Sequence, residues 1–234
     1  MKLFMKKHLL LIFFLYTVIS FAQEEVDEWD SWFMQSVKVN VDGGEDWRYS
    51  FDLQWRAKNN SRTLDRVLLE GAYYYSPNKK WDIVPDLRIS KEPTEIEYRP
   101  GLGVVRKMYW GTDGVMRNSL SHQVKYQADI NPTDVQHGLR YILFYNYVVN
   151  PKFFVGGVAG GFYRWSDAFN GVQFVRTGFS GSYVFNEYNT VTLLNAIGFE
   201  NRGDQWTYSY NLLLGLTIRI KRDYKFREPE IFSF

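Results

Sequence analysis

Apolar and polar residues alternate along most of this chain. In WTYSYNLLLGLTIRI, Trp206, Tyr208, Tyr210, Leu212, Leu214, Leu216, Ile218 and Ile220 share one face. Thr207, Ser209, Asn211, Leu213, Gly215, Thr217 and Arg219 share the other. A two-residue period predicts a β-strand with unlike faces. The period recurs in WRYSFDLQWR, where Trp47, Tyr49, Phe51, Leu53 and Trp55 oppose Arg48, Ser50, Asp52, Gln54 and Arg56. RVLLEGAYYY sets Val67, Leu69, Tyr73 and Tyr75 against Arg66 and Glu70. WDIVPDLRI sets Trp81, Ile83, Leu87 and Ile89 against Asp82, Asp86 and Arg88. IEYRPGLGVVRKMYW puts Ile96, Tyr98, Leu102 and Val104 opposite Glu97 and Arg99, with Trp110 near its end. SLSHQVKYQ opposes Leu120, Val124 and Tyr126 to Ser119, Ser121, Gln123 and Lys125. GLRYILFYNYVV aligns Leu139, Tyr141, Leu143 and Tyr145, with Arg140 on the far side. VQFVRTGFSGSYVF aligns Val175, Phe179 and Tyr183 against Arg176, Gly178, Ser180 and Ser182.

Three further segments are less regular. WFMQSVKVNV alternates poorly, and FFVGGVAGGFYRW is too glycine-rich for its faces to be chosen. NTVTLLNAIGF alternates but places Asn195 on the apolar side. Between segments stand VDGGED, KNNSR, SPNKK, GTDG, INPTD, VNPK, FNG, NEYN and NRGDQ. Gly, Asn, Asp and Pro supply the backbone angles of tight turns. Such connections are too short for helical crossovers, so neighbouring strands are antiparallel. A long antiparallel meander closes on itself and removes its exposed edges. The prediction is an all-β, up-and-down barrel of about 10–12 strands, with an even number preferred.

The apolar face must be assigned to a core or to lipid. The stripes are longer than soluble strands of about 5–6 residues and match the roughly 9–11 residues of a membrane strand. Aromatics gather at stripe ends: Trp47, Trp55, Trp81, Trp110, Trp206, Tyr208 and Tyr210. Amphipathic rings settle at the water–lipid boundary, so these positions predict a lipid-facing girdle. The opposite face then lines a lumen, with Arg48, Asp52, Arg56, Arg66, Glu70, Asp82, Asp86, Arg88, Glu97, Arg99, Lys125, Arg140, Arg176 and Arg219 as its charged residues.

The N-terminus agrees with this assignment. MKLFMKKH supplies Lys2, Lys6 and Lys7, LLLIFFLYTVIS is apolar, and Ser20-Phe21-Ala22 places small residues at a cleavage site. This is the pattern of a cleaved signal peptide. The expected organisation is a signal peptide over 1–22, a flexible acidic N-terminus over 23–30, a membrane β-barrel over 31–221 and a C-terminal tail over 222–234. Removing three lysines leaves 25 basic against 26 acidic residues, which gives no reason to expect a nucleic-acid partner. The absence of cysteine excludes disulfides and thiolate metal sites.

The order of motifs resembles that of an uncharacterised outer-membrane family, the domain-of-unknown-function 2490 family. The resemblance rests on Trp29 and Trp32, then WRYSFDLQWRAKNNSRTLDRVLLEGAYYYSPNKKWDI, EYRPGLGV and RTGFSGSYVFNEYNTVTL. It implies the outer membrane of a Gram-negative bacterium, with outer-membrane lipid, lipopolysaccharide and the barrel-assembly machinery as partners. It carries no established activity and transfers no functional residue.

Catalytic constellations are weak. In SLSHQ, His122 alternates to the lipid face while Ser119 and Ser121 face the lumen, so they cannot pair directly. His137 stands alone at a loop edge, and His8 lies in the signal segment. GGVAGG (Gly156–Gly161) lacks the Lys-Ser/Thr of a phosphate loop, and the acidic run EEVDEWD lacks the spaced ligands of a calcium loop. Asp82 and Asp86, like Arg66 and Glu70, share a face but lie about 13 Å apart along a strand, so their partners must come from neighbouring strands. No catalytic residue, cofactor or metal is expected. The chain reads as a narrow channel or polar-solute-binding barrel with a charged lumen. The alternatives are a lipid-modifying enzyme, or a structural or assembly component with a plugged lumen.

Overall fold

The computed structural model describes residues 29–220, apart from 45, 60, 113–114, 133, 167–168, 187 and 202–204. The signal segment and the tail over 222–234 lie outside the described residues. Eleven strands follow in order: β1 (Trp29–Asp42), β2 (Trp47–Lys58), β3 (Thr63–Asn78), β4 (Trp81–Lys91), β5 (Ile96–Thr112), β6 (Val115–Ile130), β7 (Val135–Asn150), β8 (Phe153–Trp165), β9 (Asn170–Val184), β10 (Asn189–Asn201) and β11 (Trp206–Ile220). Each pairs with its sequence neighbours, and β1 pairs with β11, so the sheet is a closed barrel.

One expectation is corrected here. The strand number is odd among the described residues. A meander of odd number has its first and last strands pointing the same way, and the closing β1–β11 pair is accordingly parallel, from Trp29↔Tyr208 to Val41↔Ile220. Among the described residues the first strand starts at Trp29 and the last runs to Ile220.

Asparagine closes several turns. Asn78 Oδ1 accepts from Lys80 N and Asn150 Oδ1 from Lys152 N, both at 2.9 Å. Asn131 and Asn186 do the same for Asp134 N, Tyr188 N and Asn189 N. The side chain thus replaces a backbone acceptor, which is why Asn recurs between the strands. In KNNSR, Asn59 and Ser61 take left-handed φ values of 53° and 65°.

The outer surface is apolar. Phe51, Leu53, Leu69, Ile83, Leu87, Leu102, Val104, Val124 and Leu214 are exposed there. Toward the rim formed by the β2–β3, β4–β5, β6–β7, β8–β9 and β10–β11 connections stand Trp55, Tyr98, Tyr126, Trp206 and Tyr208. Toward the other rim stand Trp47, Trp81, Trp110, Tyr145 and Tyr183. Two aromatic belts bound one aliphatic band, the arrangement that lipid imposes on a transmembrane barrel. Tyr210 also faces outward, where its hydroxyl accepts from Asn195 Nδ2 at 2.7 Å. Pairing with this hydroxyl accounts for Asn195 on the apolar face.

The lumen is not uniformly polar. One wall carries a buried apolar cluster of Met34, Ile142, Phe144, Val158, Leu194, Ala196 and Leu213, with Trp32 packed against it. The cluster continues across β9 because Gly178 separates Val158 from Ala196 in register. A Cβ at Gly178 would lie 2.3 Å from Asn195 O and 2.6 Å from Ala196 Cβ. A smaller apolar patch joins Ala72, Tyr74, Val84 and Val105 on the facing wall. These inward apolar residues are shielded from lipid and water alike, so they pack as they would in a soluble core.

Candidate functional site: an arginine-rich vestibule above a packed lumen

Charged side chains fill the lumen in tiers. Near the far rim, Asp82 accepts from Lys107 Nζ and Ser76 Oγ at 2.8 and 2.7 Å, with Arg48 at 3.8 Å. Arg48 also covers the Tyr74 ring at 4.1 Å, and Arg219 Nη1 donates to Thr190 Oγ1 at 2.9 Å. In the middle tier, Arg88 donates to Glu70 Oε2 through Nε at 2.8 Å and Nη2 at 2.5 Å. Lys125 pairs with Asp86 at 2.7 Å. Asp52 receives Ser36 Oγ at 2.6 Å and Gln54 Nε2 at 2.8 Å, with Lys38 at 3.7 Å. Arg88 is 1% exposed and Gln127 0%, so the side chains of this tier are tightly packed.

Above it opens a cavity of about 450 Å³ at the rim of the β2–β3 and β4–β5 connections. Six arginines line it (Arg56, Arg66, Arg99, Arg140, Arg164 and Arg176) with four glutamates (Glu92, Glu95, Glu97 and Glu200). Trp32, Phe162 and Phe174 supply apolar surface. Arg66 binds Asp65 at 2.7 Å and Glu92 at 2.8 Å. Arg99 binds Glu97 at 2.9 Å and also pairs with Asp129. Arg164 meets Asp129 at 2.5 Å, and Arg176 meets Glu200 at 2.7 Å. Arg140 and Arg164 both lie over the Phe162 ring, at 5.6 and 5.4 Å, and Arg176 over Phe174 at 4.4 Å. The Phe162 ring fills the space left by Gly138, where a Cβ would come within 2.2 Å of it.

The structure distributes the charged residues selected from the sequence among these tiers. Arg56, Arg66, Glu97, Arg99, Arg140 and Arg176 line the vestibule. Asp52, Glu70, Asp86, Arg88 and Lys125 form the tier beneath, while Arg48, Asp82 and Arg219 lie toward the far rim. Ser121 points inward while His122 bonds the Tyr141 hydroxyl outside at 2.7 Å, so the two do not meet. His137 also lies outside, within 2.8 Å of the Tyr126 hydroxyl and stacked on Trp165.

Several vestibule residues escape simple alternation. A bulge leaves Asp65 as an extra residue in the β2–β3 ladder, and consecutive Asp65 and Arg66 become ion partners. A second bulge at Phe162/Tyr163 leaves Gln173 extra on β9, so Gln173 and Phe174 line the same cavity. Asp129, Lys107 and Glu200 were within reach: extending the period from Lys125, Gly103 and Ala196 along their strands places each inward.

A closed up-and-down barrel with an aliphatic band outside and interlocked charges within defines a transmembrane β-barrel. The chain belongs to the family described as Protein of unknown function (DUF2490), which matches residues 29–209. Among solved structures, a NanC porin in a rhombohedral crystal form aligns with a TM-score of 0.51 at 13% identity, covering 82% of this chain and 99% of that one. A KdgM porin described as in complex with disordered oligogalacturonate aligns with a TM-score of 0.45 at 14% identity, covering 73% of this chain and 85% of that one. At 13% identity the likeness to the NanC porin shows the barrel fold alone. No curated protein matches the sequence.

Proposed function

We propose that the protein is a channel for polar solutes in the outer membrane of a Gram-negative bacterium, with a resting lumen closed by its own side chains. Outer-membrane lipid and lipopolysaccharide then surround the aliphatic band, and the barrel-assembly machinery inserts it. The observation that carries this reading is the polar vestibule of about 450 Å³ standing on the Glu70–Arg88 tier. Such a volume lies within the usual range of small-molecule sites, roughly 300–1,000 Å³. A floor of ion pairs suits a gate, because water or a polar solute can replace each bond that opens. An aliphatic floor would offer no such exchange.

Planar-bilayer recording of the purified protein tests this. Wild type should be silent or open rarely, and the Glu70→Ala/Arg88→Ala variant should conduct steadily. A folded double variant that stays silent overturns the gate. That outcome would favour a structural barrel with a plugged lumen, for which the buried apolar cluster around Met34 and Phe144 is the supporting observation. Steady, large conductance from wild type would replace the closed state by an open pore.

A further inference from the structure

We infer that Arg56 and Arg140 form a receiving site in the vestibule for a small, multiply charged oxyanion bearing carboxylate or phosphate groups. The inference rests on reading the vestibule as the place where solute is received. It begins from an imbalance. Arg66, Arg99, Arg164 and Arg176 each have an acidic partner among Asp65, Glu92, Glu97, Asp129 and Glu200. Arg56 and Arg140 are 6% and 3% exposed, and neither makes an ion pair among the described residues. Among the described residues the Nε of each has no acceptor. Arg56 uses one donor, Nη2, on Gln54 Oε1 at 3.0 Å, and Arg140 rests on the Phe162 ring.

A buried guanidinium without a direct ion-pair partner is costly, and buried donors are as a rule satisfied. Both residues line the one cavity described above, so a partner can reach them from its open side. The planar fork of arginine suits bidentate oxyanions, carboxylate and phosphate alike. Phe162 holds Arg140 and Arg164 on one ring, and Gln54 holds Arg56, so the donors are fixed before a ligand arrives. A neutral solute would leave the charges uncompensated.

Calorimetry on the full-length protein in detergent tests the site with citrate, inorganic phosphate and glucose, and the fluorescence of Trp32, which lines the cavity, gives a second readout. Citrate, phosphate or both should bind wild type, and which one binds tighter separates carboxylate from phosphate recognition. Glucose should not bind. Arg56→Gln and Arg140→Gln should each weaken binding by about tenfold or more, the scale of one lost charge-assisted bond. The double variant should lose it, and the Arg→Lys versions should retain part. Lys80→Gln, exposed in the β3–β4 turn at the far rim, should bind as wild type does. Heat-dependent gel mobility establishes that each variant is folded. Absence of citrate and phosphate binding by wild type overturns the site, as does wild-type affinity in the folded double variant or equal binding of glucose. If the glutamine variants do not fold, the lysine variants and the anion-against-glucose comparison decide. Anion binding by a protein whose floor variant never conducts would keep the site and remove the channel. Conductance without anion binding would do the reverse.

Discussion

Glu70 and Arg88 meet inside the barrel at 2.5 Å, and their stability contribution depends on both being present. Removing one member of a buried pair leaves an unmatched charge, which costs about 3–5 kcal/mol, whereas replacing both with apolar groups of similar volume is often neutral. Glu70→Gln alone should therefore lower the unfolding free energy by about that amount, and Glu70→Leu/Arg88→Met should lower it less. Urea unfolding in lipid vesicles gives both values, and a double variant as weak as the single would contradict the argument. The inward placement of both residues was readable from the sequence, because each alternates inward on a regular strand, while their pairing was not. Asp65 was not, since a bulge shifts it to the face that alternation assigns to its neighbours. Phe162 was hidden for another reason: β8 is so rich in glycine that its two faces carry little contrast.

At the level of elements, the seam between β1 and β11 bears the closure of the barrel. Val37 and Leu216 are register partners across it. The chain contains no cysteine, so Val37→Cys/Leu216→Cys gives an unambiguous cross-link. Oxidation should join the pair in the folded barrel, while Val37→Cys/Ile220→Cys, four register pairs further along, should remain reduced. Gel mobility after oxidation separates the outcomes, and the opposite preference would exclude the parallel register. The individual strands and turns were legible because alternation and turn chemistry are local. The parallel register of the closing seam was not, since it depends on contacts between the two ends of the barrel. The poor alternation of β1 has a local cause that becomes visible only after folding. Its inward Trp32 and Met34 join the lumenal apolar cluster, while Gln35 stands outside beside Leu214 and Trp55.

For the molecule as a whole, polarity is reversed relative to a soluble barrel, and the cost of a misplaced charge should follow depth. Val104 is 41% exposed in the aliphatic band, midway between Tyr98 and Trp110. Val104→Arg should destabilise the barrel by about 2–4 kcal/mol in vesicles, and Val135→Arg, at the first residue of β7, by about 0–1. Equal costs at the two depths would remove the membrane assignment. This global polarity was legible because long apolar stripes end in aromatics. The vestibule was not, because it gathers residues from the ends of many strands, and their meeting is set by closure and register rather than by any one segment. The apolar cluster on one wall of the lumen was equally hidden. In GLRYILFYNYVV and NLLLGL apolar residues occupy both faces, so alternation leaves Ile142, Phe144 and Leu213 without a sign of their burial.

Because β1 and β11 run in the same direction, Trp29 begins at the vestibule rim and Ile220 finishes at the opposite one. The polypeptide thus crosses the bilayer eleven times between these residues and does not return to the side from which it started.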